Sequence, residues 1–316
     1  MPTRILKTDV GTFRVNISNN ETLSYDPTVG PVKKLLGYDI AVGGKNVCVF
    51  IKTHLDSTTA ELLNLKTKVG SCEIHDRVIH GTSTVHMVLL AFTIVKEVSP
   101  HITHIKLRDK SGFICTLPDG SPAGISLAFY ELCFYGATYY ERHFGARITL
   151  PELYVLYETA KQGFDKPIDK TFKIDNASLK ILLEPLLQSS SSWREFFDKI
   201  HIMANKCAVI QPWYIQALEL IMNGVVFGDV QWIIDLSNST YIKSIAYTDI
   251  SHRGGANTRK KRRRNIVFIG GNNEDIYDLY NLPNTREAIN TLKYQPNHIL
   301  PYKTSKIQEK LLEMVV

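Results

Sequence analysis

One apolar stretch with strand signals on both sides constrains the fold of this 316-residue chain more than any other feature. Residues 85–98 (VHMVLLAFTIVKEV) are mostly apolar, which is typical of a largely buried helix, and Pro100 is expected to end it. Residues 72–79 (CEIHDRVI) and 102–107 (ITHIKL) have the composition of strands. A strand, a loop, a helix and a second strand form a crossover unit, which favours parallel pairing of the two strands. The sequence therefore predicts a mixed α/β fold.

Strand and turn signals alternate through the residues that precede this unit. Residues 13–17 and 46–52 are predicted strands, because they are rich in β-branched and aromatic side chains. Residues 27–36 contain a Gly-Pro pair and are predicted to form a loop followed by at most a short helix. Residues 60–65 fit a short helix with a capping-box start and fit a strand equally well, so both alternatives stay open.

From residue 151 the pattern changes to helices joined by short polar links. Helices are predicted at 153–160 and 177–187, a further helix is capped by Ser192, and 230–236 is strand-like. We predict four regions: an α/β domain over 1–150, a helical extension over 151–250, a basic flexible segment over 251–265 and a C-terminal extension with a terminal helix over 266–316. The change near residue 150 fits a domain boundary and also fits two layers of one domain.

The cysteines and the sequence motifs limit the kinds of functional site that the chain is expected to contain. The five cysteines are odd in number and widely scattered, with no C-x-x-C pair, so we expect neither a disulfide framework nor a zinc site. His101-x-x-His104 lies at the start of a predicted strand, where the two side chains point to opposite faces, and no metal is expected there. G-x-x-x-x-G-K-[ST], G-x-S-x-G and H-E-x-x-H are absent from the sequence, which leaves kinase, serine hydrolase and zincin interpretations without support.

Neither a membrane span nor a secretory leader is predicted. The sequence contains no run of eighteen apolar residues. Its start, MPTRILKTDVGTF, lacks the apolar segment and the small-residue cleavage site of a signal peptide. We therefore expect an intracellular protein that is not secreted.

The positive charge of the chain is local. Six consecutive cations account for the net charge of +6, because without them the 37 basic residues fall to 31, the number of acidic residues. These cations are Arg259, Lys260, Lys261, Arg262, Arg263 and Arg264. They fit contact with nucleic-acid phosphates or an acidic protein surface, a nuclear-import signal, or a solvated loop, and the three alternatives stay open. The run has no aromatic residue on which bases could stack, so base-specific recognition is not indicated.

Two short motifs accompany the crossover unit. Residues 78–83 read VIHGTS, and residues 140–145 read YERHFG. A strand, a glycine-bearing loop, a helix, a parallel strand and then a helix with this second motif resemble the core of the GCN5-related N-acetyltransferases (GNAT). In that family a [QR]-x-x-G-x-[GA] loop at a helix N-terminus binds the pyrophosphate of acetyl-CoA. Gly81 matches the first glycine, Val78 stands where Gln or Arg is expected, and Ser83 replaces the second glycine or alanine.

The resemblance implies a fold, a ligand and a binding site. The expected architecture is a GNAT-like mixed sheet flanked by helices, followed by a mostly helical C-terminal region. The expected cofactor is acetyl-CoA, without a metal. The backbone N–H groups that would hold its pyrophosphate belong to Gly81, Thr82, Ser83 and Thr84.

The resemblance also implies candidate catalytic residues. Tyr140 matches the tyrosine that acts as general acid toward the thiolate leaving group, with Tyr139 as a competitor for that position. The motif departs from the family's spacing to glycine by one residue, Phe144. Glu73, His75 and Asp76 lie on the strand expected before the loop, where family members place a carboxylate or an ordered-water network, and Glu73 is the candidate general base among them. A polar strand end that faces solvent is the alternative interpretation of these three residues. Packing of both tyrosines at a core edge is the alternative interpretation.

The segments HGTSTVHM and GATYYERHFGA also resemble hypothetical proteins of large double-stranded DNA viruses that carry divergent acetyltransferase-like domains. Two functions follow from these resemblances. One is transfer of an acyl group from acyl-CoA to an amine. The other is a catalytically inactive structural or interaction protein, a minor capsid or DNA-associated component with capsid or nucleic-acid partners. The corresponding locations are the cytoplasm, the nucleus or the virion.

Overall fold

A computed structural model describes residues 3–65, 72–75, 82–117, 120–225, 227 and 230–251, and it confirms a mixed α/β fold. The strands of the described residues are β1 (Arg4–Lys7), β2 (Thr12–Asp26), β3 (Gly30–Gly43), β4 (Val47–Lys52), β5 (Thr59–Leu65), β6 (His104–Arg108), β7 (Gly112–Thr116), β8 (Pro122–Ser126), β9 (Arg147–Ile148), β10 (Gln231–Asp235) and β11 (Thr248–Asp249). Their α-helices are α1 (Thr82–Val98), α2 (Leu127–Tyr135), α3 (Tyr139–Phe144), α4 (Pro151–Lys161), α5 (Ala177–Ser189), α6 (Trp193–His201), α7 (Lys206–Ile210) and α8 (Tyr214–Ile221). A 3-10 helix spans Gln162–Asp165.

Nine strands form one mixed sheet in the order β11-β1-β2-β3-β4-β5-β6-β10-β9, and β7 and β8 form a separate hairpin. From β11 to β5 the neighbouring strands pair antiparallel. β5 and β6 pair in parallel, from Thr59 opposite His104 to Leu62 opposite Leu107, and β10 pairs antiparallel with β6. Because α1 lies between β5 and β6 in the chain, the three elements form the crossover unit that the sequence predicts.

The first strand of the crossover unit is a different segment from the predicted one. The parallel partner of β6 is residues 59–65, whereas residues 72–75 form turns and 76–79 lie outside the described residues. Ala60 and Leu62 are buried while Glu61 is exposed, so the segment alternates as a strand does. The helical alternative for residues 60–65 is therefore wrong.

The loop predicted within residues 27–36 is limited to the turn at residues 27–29, and the predicted short helix is wrong, because residues 30–36 belong to β3. β2 and β3 form a long hairpin whose register runs from Arg14 opposite Gly43 to Asp26 opposite Gly30. Gly30 adopts φ +86°, the left-handed backbone that glycine tolerates, where β3 begins. The Gly-Pro signal therefore marks the end of a hairpin, and cross-strand pairing extends both strands through residues whose local composition predicts a loop.

Helix α1 is buried on almost all sides, as its apolar sequence predicts. Every residue from Met87 to Val95 except Thr93 is buried, and the helix packs against β3 and β4. Segments that follow β10 cover it as well. Thr93 Oγ1 accepts a hydrogen bond from the backbone N–H of Ile245 at 3.0 Å, and Lys96 Nζ donates to the carbonyl of Leu236 at 2.5 Å. Burial of this many apolar side chains makes α1 a central element of its unit.

The described residues divide into two compact units, and neither is one continuous stretch. The first contains residues 3–65, 72–75, 82–108, 143–147 and 231–251. The second contains residues 109–117, 120–142, 148–225, 227 and 230. The chain thus leaves the first unit after β6, returns to it for residues 143–147, and returns again for β10 and β11.

Two cysteine pairs correct the expectation that disulfides are absent. Cys48 is bonded to Cys72 in the first unit and Cys115 to Cys207 in the second, while Cys133 is a buried free thiol. The paired residues are 24 and 92 positions apart in the sequence. Pairing over such separations is set by the tertiary fold and leaves no local spacing signal.

Several predictions for the later part of the chain are confirmed. The helices predicted at 153–160 and 177–187 are α4 and α5, and the predicted strand at 230–236 is β10. Ser192 caps α6, since its Oγ accepts a hydrogen bond from the backbone N–H of Glu195 at 3.3 Å. In the part of the chain that the structure describes, no helix is long and apolar enough to cross a membrane. Residues 252–316, with the six basic residues, lie outside it.

Candidate functional site

The predicted pyrophosphate-binding residues lie at the start of α1. Gly81 lies outside the described residues, and Thr82 is the first residue of the helix. Ser83 is half-buried and Thr84 is buried. The first turn of α1 contains no acidic side chain, so the positive end of the helix dipole has no carboxylate within that turn. This arrangement suits an anion, and the binding of acyl-CoA there stays a prediction.

Glu73, the candidate general base, is buried in the first unit and holds two backbone groups. Its Oε1 accepts a hydrogen bond from the N–H of Thr12 at 2.9 Å, and its Oε2 accepts one from the N–H of His75 at 2.8 Å. The carbonyl of Thr12 in turn accepts from the N–H of Ile74 at 3.0 Å. Both carboxylate oxygens therefore accept hydrogen bonds from main-chain N–H groups, which is typical of a carboxylate with a structural role.

Tyr140, the candidate general acid, lies on α3 in the second unit with only 4% of its surface exposed. Burial raises the pKa of its phenol well above the usual value, and the nearby Asp109 and Tyr139 raise it further. The ring of Tyr139 packs edge-on against it, with ring centroids 5.5 Å apart. Tyr140 consequently keeps its proton at neutral pH.

The other residues of the YERHFG motif have identifiable structural roles. Glu141 accepts hydrogen bonds from the backbone N–H of Thr138 (2.7 Å), the hydroxyl of Tyr157 (2.6 Å) and Nζ of Lys161 (3.0 Å). Because the Thr138 hydroxyl also accepts from the N–H of Glu141 at 3.4 Å, the pair forms a capping box that starts α3. Gly145 follows the helix with φ +63°, a conformation that other residues rarely adopt.

Arg142, the remaining charged residue of the motif, pairs with a buried acid. Its Nη2 lies 2.7 Å from Oε2 of Glu131, and its guanidinium stacks over the ring of Tyr135 at 3.8 Å from the centroid. Glu131 lies in the middle of α2 between apolar and aromatic neighbours and is 5% exposed. Desolvation raises the pKa of Glu131 to about 7; Arg142 opposes this shift, Asp109 adds to it and Lys206 opposes it.

A second buried acid follows β6 directly. Asp109 is 7% exposed, and its Oδ1 accepts hydrogen bonds from both the backbone N–H and the hydroxyl of Ser111. Burial raises the pKa of Asp109, while the two hydrogen bonds from Ser111 oppose the shift. Its Oδ2 is also buried, and within the described part of the chain it has no hydrogen-bond partner. A carboxylate in such surroundings favours the protonated form.

We call Asp109, Glu131, Tyr140 and Arg142 the polar cluster. Electrostatic interaction with Asp109 raises the pKa of both Glu131 and Tyr140, and Arg142 forms the ion pair with Glu131. A carboxyl that titrates near neutrality, a protonated phenol and a guanidinium are groups that general acid–base sites use. The polar cluster is therefore the candidate functional site of the second unit.

Two members of the polar cluster were missed from the sequence, although each has a signal. Glu131 is the one acidic residue in LAFYELCFY, an otherwise apolar and aromatic helix, and Asp109 directly follows an alternating strand. An acid in such a position is either exposed at a helix surface or buried with a partner, and only the fold distinguishes these cases. Of the predicted catalytic residues, Tyr140 belongs to the polar cluster, while Glu73 belongs to the other unit.

Metal-ligating side chains are not grouped in the described residues. No set of three or more His, Cys, Asp or Glu there could hold a metal ion. His86 Nε2 lies 3.0 Å from the carboxylate of Asp9, and His101 Nε2 lies 3.0 Å from the carbonyl of His54. In each of these contacts the histidine pairs with one protein group, which is typical of a structural histidine and not of a metal ligand.

Comparison of the chain with protein-family models, with curated proteins and with solved structures finds no match. The inference of function therefore depends on the residues and the geometry described above.

Proposed function

We propose that this chain is an acetyltransferase-like protein that binds acyl-CoA at the start of α1 and transfers its acyl group to an amine. The parallel β5–α1–β6 crossover carries the proposal, because a strand, a helix and a parallel strand are part of the arrangement that the resemblance to the GNAT core implies, although the first strand is residues 59–65 and not the predicted segment. In crossover units, ligands bind at the carboxyl ends of the parallel strands, where the following helix begins. An α1 first turn without acids supports an anionic ligand at this position.

The polar cluster of the second unit contains proton donors and acceptors of the kind that such a transfer uses. Acyl-CoA supplies an activated thioester, and transfer to an amine requires one proton to leave the nitrogen and one to reach the sulfur. Glu131, with a pKa of about 7, is ionised in part of the molecules at neutral pH and accepts a proton readily. Tyr140 holds its proton at neutral pH, and Arg142 stabilises the ionised form of Glu131.

Ligand-dependent thermal stability tests the binding step. Saturating acetyl-CoA should raise the Tm by about 5–10 °C at a concentration 100-fold above Kd, because the ligand binds only the folded state. Ser83→Asp places a negative charge in the first turn of α1 and should abolish this rise. Ser178→Asp, at an exposed serine in the first turn of α5, is the matched control and should keep it. No rise with the unmodified chain at millimolar acetyl-CoA would remove the proposal.

A second candidate function keeps the fold without the transfer chemistry. Two observations favour it: both carboxylate oxygens of Glu73 hold backbone N–H groups, and burial raises the pKa of Tyr140 well above that of a thiol. Proton donation from such a phenol to a thiolate is unfavourable, since the acid is weaker than the thiol it would form. The chain would then be an interaction protein that contacts DNA or a capsid partner through residues 259–264, within the virion or the nucleus.

The salt dependence of DNA association tests the second candidate. Replacing all six residues 259–264 with Gln should weaken binding to duplex DNA and flatten its dependence on salt, because fewer counterions are released. Replacing the arginines among them with Lys keeps the six charges, and this control should retain the salt dependence. Equal binding by the unmodified and the Gln chains across a salt titration would rule out the segment as the contact.

A further inference from the structure

Four cysteines form two pairs, and each pair lies within one unit. The Cα atoms of Cys48 and Cys72 are 5.6 Å apart, and those of Cys115 and Cys207 are 5.9 Å apart. Both separations fall within the range that a disulfide spans without backbone movement. The units are thus cross-linked separately, with loops of different length closed in each.

The first bridge belongs to a set of contacts that hold residues 72–75. Cys48 lies in β4, and next to Cys72 the carboxylate of Glu73 binds the N–H of Thr12. The backbone of Glu73 also approaches Gly44 so closely that a Cβ added to Gly44 would lie 2.4 Å from the Glu73 carbonyl oxygen. Only glycine fits this approach. Gly44 and the disulfide therefore both help to hold residues 72–75 in place.

The second bridge joins the β7–β8 hairpin to the helices that follow later in the chain. Cys115 lies in β7 and Cys207 in α7, and these two elements pack against each other. One turn further, Gln211 Nε2 donates a hydrogen bond to the carbonyl of Gly124 in β8 at 3.2 Å. A two-stranded hairpin is marginally stable alone, so a covalent link to a helix stabilises its position.

All four bridged residues are buried. Cys48 and Cys72 are each 1% exposed, Cys115 is 4% exposed and Cys207 is 7% exposed. A thiolate reductant reaches such sulfur atoms only when the surrounding structure opens. Cys133 is 1% exposed in the middle of α2, and burial raises the pKa of its thiol, so it is a poor nucleophile for exchange with the bridges.

We infer that this chain is a substrate of dithiol oxidation and that both bridges are permanent cross-links formed during folding by exchange with a disulfide-carrying oxidant. In each oxidation two cysteine thiols of the chain become one S–S bond. The two electrons and two protons that they lose convert the disulfide of the oxidant into two thiols. The reaction must precede the burial of the four sulfur atoms. A compartment that keeps thiols reduced would not supply it, so an oxidant of this class is required.

Mapping of the cysteines after refolding tests the inference directly. The full chain is reduced in denaturant, refolded in a buffer of reduced and oxidised glutathione, alkylated in denaturant without reductant, and digested for mass spectrometry. The expected result is alkylation at Cys133 alone. Two cross-linked peptide pairs should be found, one that joins Cys48 to Cys72 and one that joins Cys115 to Cys207. Alkylation of all five cysteines, or bridges between other partners, would overturn the inference.

Permanent bridges also make a kinetic prediction. Reduced glutathione should release new thiols from the oxidised native chain at a rate at least about tenfold lower than from the same chain in denaturant. The reason is that exchange at a buried disulfide requires the surrounding structure to open. Equal rates in the two conditions would show that the bridges are exposed and exchangeable. That result would overturn the assignment as permanent cross-links.

Paired variants measure what each bridge contributes. C48A/C72A and C115A/C207A should each lower the Tm of the oxidised chain by about 5–10 °C, and reductant during refolding should lower the Tm of each variant less than that of the parent. C133A is the matched control, because it removes a buried cysteine without removing a bridge. A loss for C133A equal to that of both paired variants would contradict a cross-linking role. If a paired variant does not fold, the peptide map of the parent chain still decides the question.

Discussion

In the first unit, Glu73 Oε1 accepts a hydrogen bond from the backbone N–H of Thr12, the first residue of β2, at 2.9 Å. The two residues are 61 positions apart in the sequence, and the acceptor is 1% exposed. A buried carboxylate that accepts hydrogen bonds from main-chain N–H groups satisfies donors that burial removes from water. Glu73 therefore stabilises the fold through its hydrogen bonds to main-chain N–H groups, independently of any catalytic role.

Glu73→Gln should destabilise the chain by about 1–3 kcal/mol, because the amide NH₂ cannot accept from the N–H of His75 and leaves a donor without this acceptor. Urea unfolding followed by circular dichroism measures the loss. Glu61→Gln, at an exposed position of β5, is the matched control and should change stability little. Unchanged stability for Glu73→Gln combined with lost acyl transfer would instead identify Glu73 as the general base.

Burial of Glu131 makes stability depend on pH, because desolvation raises the pKa of its carboxyl while Arg142 opposes the shift. The folded pKa of Glu131 is about 7, above the ordinary value of 4.5, so between these pH values the folded state binds more protons than the unfolded state. Stability from this group is fully present below pH 4.5 and is lost as the pH rises through about 7. The loss amounts to up to about 3 kcal/mol.

Glu131→Gln should flatten this part of the stability profile, since the amide does not titrate. The free energy of unfolding at several pH values from 5 to 8 gives the slope for each chain. Glu152→Gln, at an exposed position of α4, controls for the loss of one carboxylate. Because the pKa of Asp109 is also raised, part of the slope should remain. An identical slope in the parent and Glu131→Gln chains would contradict the shift at Glu131.

The parts of the fold that could be predicted are those with a local signal. The end of α1 at Val98 follows from an apolar run that stops before Pro100, and β6 follows from an alternating segment, whereas α1 begins three residues before the predicted start at residue 85. The sequence leaves β5 open, because residues 60–65 alternate weakly and fit a short helix as well. Pairing with β4 and β6 decides in favour of the strand.

The candidate site was predicted in part for the same reason. Tyr140 lies in a recognisable motif, whereas the properties of Glu131 come from burial and from partners on α3 and α7, and those of Asp109 come from burial and from Ser111. The two disulfides depend on Cα distances that only the folded chain has. No spacing rule applied to five scattered cysteines could have found them.

The contact of Glu141 with Tyr157 links α3 to α4 in the second unit. The Tyr157 hydroxyl donates to the carboxylate at 2.6 Å, and Tyr157 is fully buried. Burial raises the pKa of Tyr157 well above its usual value, and Glu141 adds to the shift, so the phenol remains a donor. Tyr157→Phe should lower the free energy of unfolding by about 1–2 kcal/mol, because the carboxylate loses one of its donors.

Chemical denaturation of the Tyr157→Phe chain checks this expectation. Tyr154→Phe is the matched control, since Tyr154 lies one turn earlier on α4 and is only half-buried. The Phe variant at 154 should retain the stability of the parent. Equal losses at the two positions would mean that the hydroxyl of Tyr157 contributes no special stabilisation through Glu141.

Adjacent tyrosines on α3 allow the two proposed functions to be distinguished. If Tyr140 donates a proton to the leaving thiolate, Tyr140→Phe should lower kcat for release of CoA by about 10²–10⁴-fold, and acetyl-CoA should still raise the Tm. Tyr139→Phe removes a hydroxyl from the neighbouring ring and should leave kcat within a few-fold of the parent. Turnover is followed by trapping the free thiol of CoA with a chromogenic disulfide.

The inactive alternative predicts a different result for the same pair. Both chains, like the parent, would then release no CoA above the uncatalysed rate with any amine tested, and only their thermal stability would differ. A rise in Tm with acetyl-CoA combined with this lack of turnover would indicate a fold that retains the ligand and not the reaction. In that case the raised pKa of Tyr140 is a consequence of its burial, which is the largest cause, and of the nearby Asp109 and Tyr139, without a catalytic role.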